Sequence, residues 1–286
     1  MAKHLIHPRK EGQYIHQVSP EDYGWDYLEF NALTLKSGEV FSYSTPDKEA
    51  ALVPLSGELT VSVAGKSFNL ARESVFAVMP EVLYIPPGHD VEVQATKDCE
   101  FAIGSAPAEG KYPLRLFKPT EMKQEVRGEV PAQRQVNHIL SYPMPAEHLI
   151  LFEVYIPGGS WSGWPPHCHD EFDGSPYLEE TYFYRFQPQD SGFGIHRNYR
   201  TDEDFNEVFS IGHNDLVTVT KGFHPTVAAP GSKMYFLNYL AGKPSCDERA
   251  TPPVDDKDWT FMKDDKWAHN RFSFPVFDAE GNSTDK

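Results

Sequence analysis

Apolar and polar residues alternate along this chain in short bursts, many of them closed by turn residues. Bursts of this kind occupy Leu28–Leu35, Ala50–Leu55, Leu59–Val63, Ser74–Val78, Val82–Ile85, Val91–Ala95 and Phe101–Ser105, and most are rich in β-branched or aromatic residues. Alternation puts every second side chain on one face, so the pattern predicts short strands. Ser37-Gly38, Ser56-Gly57, Ala64-Gly65 and Pro86-Pro87-Gly88 supply turns between several of them. The spacing of an amphipathic helix is nearly absent.

A polar, turn-rich stretch follows, Pro107–Gln135, with Leu114, Leu116 and Phe117 interleaved. It reads as an ordered connection. A second series of strands is predicted at Asn137–Leu140, Leu149–Tyr155, Glu179–Phe186, Gly194–Tyr199, Val208–Ile211, Leu216–Val219 and Met234–Leu240. Two strand-rich halves of similar size predict a duplicated all-β, jelly-roll-like barrel, divided as residues 1–118 and 119–286. The polar tail from about residue 244 carries Trp259, Phe261, Trp267, Phe272 and Phe274. Aromatics at that density predict a segment that packs on its own barrel or on a neighbouring subunit, which leaves room for a homo-oligomer.

Composition agrees with this picture. The 286 residues suffice for two domains, and 24 Pro with 20 Gly suit many tight turns. A formal charge of −16 argues against nucleic acid and anionic membrane surfaces as partners. Cys99, Cys168 and Cys246 are odd in number, widely spaced and without a CxxC, so neither a disulfide framework nor a zinc ribbon is expected. The N-terminal residues lack an apolar signal core, and no apolar run approaches the roughly 18 residues of a membrane span, which predicts a cytoplasmic protein.

Candidate chemistry concentrates in the second half. In Trp164-Pro165-Pro166-His167-Cys168-His169-Asp170, strand alternation would turn His167 and His169 to the same side. The next predicted strand offers Glu179 and Glu180, and the one after it runs through Leu216–Val219 to Gly222-Phe223-His224-Pro225. Three imidazoles and one carboxylate suit one divalent transition metal, Mn, Fe, Co, Ni or Zn, with positions open for a substrate.

These residues resemble the cupin superfamily, whose usual pattern is HxH, a short gap, Glu, and later a PxG turn before a last His. The chain departs from that pattern in two places. Ten residues separate His169 from Glu180, so Asp170–Leu178 reads as an inserted loop; Thr220 stands in place of the turn proline, with one residue between Gly222 and His224. With Arg72-Glu73-Ser74-Val75-Phe76, Tyr177-Leu178-Glu179-Glu180-Thr181-Tyr182 and Gly222-Phe223-His224-Pro225, the chain is similar to the 5-deoxy-glucuronate isomerases of inositol catabolism over roughly residues 20–245. Cys168, His196 and Lys221 depart from that family's expected residues. The first half resembles a cupin without metal: Ser44, Pro46 and Val91 stand at the histidine positions, and His89 is a lone turn imidazole.

The resemblance implies a bicupin that isomerises the aldose 5-deoxy-glucuronate to the ketose 2-deoxy-5-keto-gluconate. It favours Glu180 over Glu179 as the carboxylate ligand, which would turn Tyr182, Tyr184 and Phe186 inward as well. Tyr182, Tyr184, His196 and the unused glutamate are candidates for the proton-carrying base. Arg127, Arg134, Arg185, Arg197 and Lys221 are candidates to bind the substrate carboxylate. Asp170, Glu171 and Asp173 would repel an anion and are expected to cap or solvate their loop. Another metal-dependent cupin enzyme, such as a uronate isomerase or a dioxygenase, and a non-catalytic sugar-binding bicupin remain alternatives.

Overall fold

The computed structural model describes residues 4–9 and 11–264. Trp267, Phe272 and Phe274 of the predicted aromatic tail lie outside the described residues. Every paired strand is antiparallel, and the described helices are short 3-10 turns. The first half forms a sheet in the order Arg115–Phe117, Val82–Ile85, Lys48–Val63, Cys99–Pro107, Glu29–Leu35 and Tyr14–Val18. Lys66–Arg72, His89–Ala95 and Val40–Thr45 close it into a barrel. In the second half the main sheet runs Leu5–Ile6, Leu216–Val219, Leu178–Gln187, Lys233–Gly242, Ile150–Ile156, Arg134–Leu140 and Lys123–Arg127. It faces a sheet of Trp161–Ser162, Thr226–Ala228, Gly194–Tyr199 and Asn206–Ile211. The chain's first described strand therefore pairs with the second barrel, Leu5 opposite Val217.

Strand alternation sorts the apolar residues into three cores. In Glu29–Leu35, Leu33 and Leu35 fill the first barrel, while Phe30 and Ala32 face the seam between barrels. In Leu178–Gln187, Tyr182, Tyr184 and Phe186 fill the second barrel and Phe183 faces the seam. These central strands are buried on both faces, so neither shows a solvent-facing polar side.

Buried carboxylates cross-link the seam. Glu49 of the first barrel accepts the amides of Glu147, His148 and Leu149 at 2.7, 2.6 and 2.7 Å. Glu147 accepts those of Glu109, Gly110 and Lys111 at 2.9, 2.7 and 2.8 Å. Arg72 and Glu153 pair at 2.7 Å with neither side chain exposed.

Two expectations change. Ser74–Val78 is a turn, because its polar backbone is claimed by side chains: Val78 O accepts Arg72 Nε at 2.9 Å and Val75 O accepts the Tyr155 hydroxyl at 2.7 Å. Ser56-Gly57 does not end a strand. Lys48–Val63 runs through it with a register shift between Pro54 and Ser56, bending from Cys99–Pro107 toward Lys66–Arg72. Gly57 has φ +79°, and a Cβ there would lie 2.0 Å from Asp98 O. Glycine was needed, for a bulge rather than a hairpin.

Candidate metal centre

The inward face of Leu178–Gln187 carries Glu180, Tyr182 and Tyr184 in order. Glu180 Oε2 lies 2.9 Å from His169 Nε2 and 3.2 Å from His224 Nε2. Ligand atoms of these three buried residues lie within 4.8 Å of one another, and among the described residues no other trio of His, Cys, Asp or Glu is gathered this tightly. His167 stands beside them, its ring centroid 4.9 Å from that of His224 and 6.4 Å from that of His169. Cys168 points the other way, into a cluster with Tyr199 and Phe223. Glu179, also on the outward phase, accepts the amides of Asp26, Tyr27 and Leu28 in the first barrel at 2.8, 2.9 and 2.7 Å.

The donor set fits a cation. His224 Nδ1 bonds Gly222 O at 2.9 Å and His169 Nδ1 bonds Leu178 O at 2.8 Å. A carbonyl only accepts, so each Nδ1 carries a proton and each Nε2 is turned to the centre, where it offers a lone pair once free of its own proton. Among the described residues His224 Nε2 is buried without a hydrogen bond, although Glu180 Oε2 stands 3.2 Å away. Two imidazole nitrogens and a carboxylate facing one another leave the place of a positive charge.

Without a metal, a proton supplies that charge in part. Burial works against an imidazolium at His169, yet Glu180 pulls its pKa above the ordinary value. Burial would raise the Glu180 pKa, but His169 and His224 hold it down to about 2. His167 is pushed well below the ordinary histidine value by burial and then by the neighbouring imidazoles. A metal must therefore displace the proton on His169. Affinity should weaken as pH falls through that raised pKa, approaching tenfold per unit. Competition with a fluorescent chelator between about pH 6 and 8 measures this, and a flat profile would contradict it.

Local structure holds these ligands in place. Gly222 has φ +85°, and a Cβ there would lie 2.4 Å from Tyr199 O. Asp170 accepts Gly222 N at 2.8 Å and Arg200 Nη1 at 2.7 Å, so the inserted loop braces the turn before His224. Glu171 pairs with Lys243 and Asp173 with Lys257. The tail clasps the site: Val254–Asp255 pairs with His167–Cys168, and Trp259 packs on Trp164 at 4.8 Å.

A cavity of about 610 Å³ opens beside the cluster, bordered by His167, His169, Glu180, Tyr182, Asn238, Arg127, Arg134, His138 and Ser141 among others. Arg134 donates to Ala132 O at 3.0 Å and has no ion-pair partner within the described residues. Burial, and then Arg127, lower its pKa to about 10, so it stays charged near neutrality.

Five further sequence candidates fall elsewhere. Arg197 lies over the Tyr199 ring at 3.9 Å and bonds Asn206. Lys221 pairs with Glu203 at 2.7 Å, beside Phe205. Neither borders the cavity. Tyr184 and His196 lie behind its wall, the tyrosine hydroxyl 2.6 Å from His196 Nδ1 and His196 Nε2 2.8 Å from Asn198 Oδ1. Burial, and then His224, lower the His196 pKa to about 3, leaving it neutral. Arg185 is buried at the seam against Glu100. Sequence reasoning missed His138, Ser141, Asn238 and Arg249 on the cavity wall. The alternation Arg134, Val136, His138 could have found one of them; Arg249, in the polar tail, gives no such signal.

A family model described as KduI/IolB matches residues 3–262. A 5-deoxy-glucuronate isomerase of Geobacillus kaustophilus is 38% identical over 241 residues, spanning 82% of this chain and 86% of that protein. An IolB-like protein from Salmonella typhimurium superposes with a TM-score of 0.86 at 33% identity, covering 92% of this chain and 100% of its own. The oxalate decarboxylase of Lactobacillus farciminis superposes with a TM-score of 0.63 at 11% identity over 96% of this chain and 95% of its own, a likeness of fold alone. The expected all-β, two-barrel cupin architecture is the one observed. No described helix is long and apolar enough to cross a membrane.

Proposed function

The chain belongs to the KduI/IolB family, and from that membership we propose that it is a 5-deoxy-glucuronate isomerase of inositol catabolism, converting this aldose to 2-deoxy-5-keto-gluconate. The observation that carries the reading is the buried His169–Glu180–His224 cluster beside a cavity bordered by Arg134, which has no ion pair among the described residues. His167, His169, Glu180 and His224 would hold one divalent transition metal. Such an ion polarises a carbonyl and its neighbouring hydroxyl. We read the barrel built within residues 11–118 as the one without metal, and the barrel built within residues 119–264, which also takes in Leu5–Ile6, as the one that would hold it.

The chain's own residues set the rest of the site. Arg134 faces the cavity as a charged fork for the substrate carboxylate. Arg127 is committed to Glu125 at 2.6 Å and adds field rather than a free fork. Tyr182 borders the cavity, and burial, with the nearby Glu180 charge, raises its pKa well above the ordinary value. Its hydroxyl keeps its proton and acts as a hydrogen-bond donor to substrate oxygen. Tyr184 and His196 brace Tyr182 from behind, its ring 5.0 Å from that of His196.

The test is direct: metal-loaded protein is incubated with 5-deoxy-glucuronate in D2O and ketose is followed by NMR. A base exchanging with solvent should place deuterium on the new CH2OH carbon. Oxygen uptake coupled to turnover, or no ketose at all, would overturn the isomerase reading.

A further inference from the structure

An aldose–ketose isomerisation moves two protons. One passes between adjacent carbons, the other between the oxygens they carry. The second cavity wall holds a group suited to the oxygen proton. His138, on Arg134–Leu140, points inward with Arg134 and Val136. Its Nε2 lies 2.8 Å from Glu125 Oε1 and its Nδ1 2.9 Å from the Ser141 hydroxyl. Both His138 and Ser141 border the cavity, and the His138 ring is braced edge-on by Phe152 at 5.0 Å.

The protonation states follow from the partners. Burial would raise the Glu125 pKa, but bonds from Lys123, His138 and Arg127 hold it down to about 2. The carboxylate can only accept, so Nε2 carries the imidazole proton and Nδ1 is left to accept from Ser141. Arg127 lies 3.3 Å from Nε2 but spends its Nε on Glu125 at 2.6 Å. Burial keeps the imidazole neutral by lowering its pKa, while Glu125 opposes that shift. The outcome is a neutral base whose lone pair meets the Ser141 hydroxyl at the cavity wall, with a carboxylate behind it to stabilise the imidazolium.

Strand register places this base opposite the metal side. His138 pairs with Phe152, Phe152 with Asn238 and Asn238 with Tyr182. Three strand spacings make about 14 Å of backbone along the curved sheet, and His138, Tyr182 and Glu180 border the same cavity.

We propose that His138, through its Nδ1 and the adjoining Ser141 hydroxyl, is the acid–base group that carries the proton between substrate oxygens. The imidazole takes the proton as the O–H bond of the hydroxyl breaks, and returns it as an O–H bond forms on the former carbonyl oxygen. The imidazole ends as it began, and no oxidant or reductant is consumed. Glu125 is a positioning residue. The inference rests on the isomerase reading and adds a role to it.

At saturating metal with 5-deoxy-glucuronate, His138→Gln should lower kcat by about 100-fold or more, with KM within about threefold and metal content unchanged. Ser141→Ala should lower kcat in the same sense. Glu125→Gln should also move the acid limb of the kcat profile to lower pH, since the carboxylate raises the His138 pKa; loss of mere packing would not shift it. A kcat within about threefold of wild type for both His138→Gln and Ser141→Ala, or a loss confined to KM, overturns this role while leaving the isomerase intact. Wild-type protein that makes no ketose overturns the isomerase reading itself.

Discussion

Replacing His224 with alanine should empty the site: bound metal falls from one per chain toward zero, and isomerisation falls with it. The loss in affinity should exceed about 100-fold, since even partners behind a ligand cost 10- to 100-fold. The reason is geometric. His224 is fully enclosed, its Nδ1 is tied to Gly222 O, and its Nε2 has only the centre to serve. Ser44→Ala should change neither quantity. Among the described residues the first barrel has no equivalent set: Val91 is 2% exposed within an apolar core that includes Leu52, Val61 and Phe101, and the Pro46 side chain has no donor atom. Elemental analysis of wild type and both variants decides the matter. A stoichiometry near two, or full occupancy after loss of His167, His169 and His224 together, would place the metal elsewhere.

The neighbouring glutamates should give opposite phenotypes. Glu180→Gln removes the anionic member of the cluster, so metal and turnover go while the fold holds. Glu179→Gln leaves the cluster intact but turns an amide toward the three backbone N–H groups of Asp26, Tyr27 and Leu28. Each donor left unpaired costs roughly 1–3 kcal/mol, so a loss of at least about 2 kcal/mol is expected in a denaturant midpoint. Protein that stays folded should still bind metal. The reverse assignment, with Glu179→Gln stripping the metal and Glu180→Gln retaining it, would put the wrong face of the strand inward.

The same pair shows where sequence reading stops. Alternation requires that Glu179 and Glu180 face opposite ways, but it cannot say which way is in. Both faces of Leu178–Gln187 are buried, one in the second barrel and one at the seam, so the usual polar-outside cue is missing. The resemblance favoured Glu180, and the coordinates place that carboxylate beside His169 and His224. No pattern in the chain foretold that Glu179 would reach into the other barrel to hold a turn.

Local chemistry, then, was legible from the chain alone. Strand periods, glycine-bearing turns and the spacing of His167, His169, Glu180 and His224 are properties of neighbours in sequence. They pointed to an all-β duplicated barrel and to the histidines of its second half, with one of two adjacent glutamates. What tertiary structure decided depends on contacts between distant segments. Arg197 and Lys221 looked as eligible as Arg134 because charge is visible in sequence and direction is not; Asn206 and Glu203 claim the first two, while Arg134 faces the cavity. Ser74–Val78 has strand composition, yet Arg72 and Tyr155 take its carbonyls and make it a turn. The tail was readable as something that packs, but its pairing with the His167 strand joins residues far apart in sequence, and alternation within either segment carries no information about that distance.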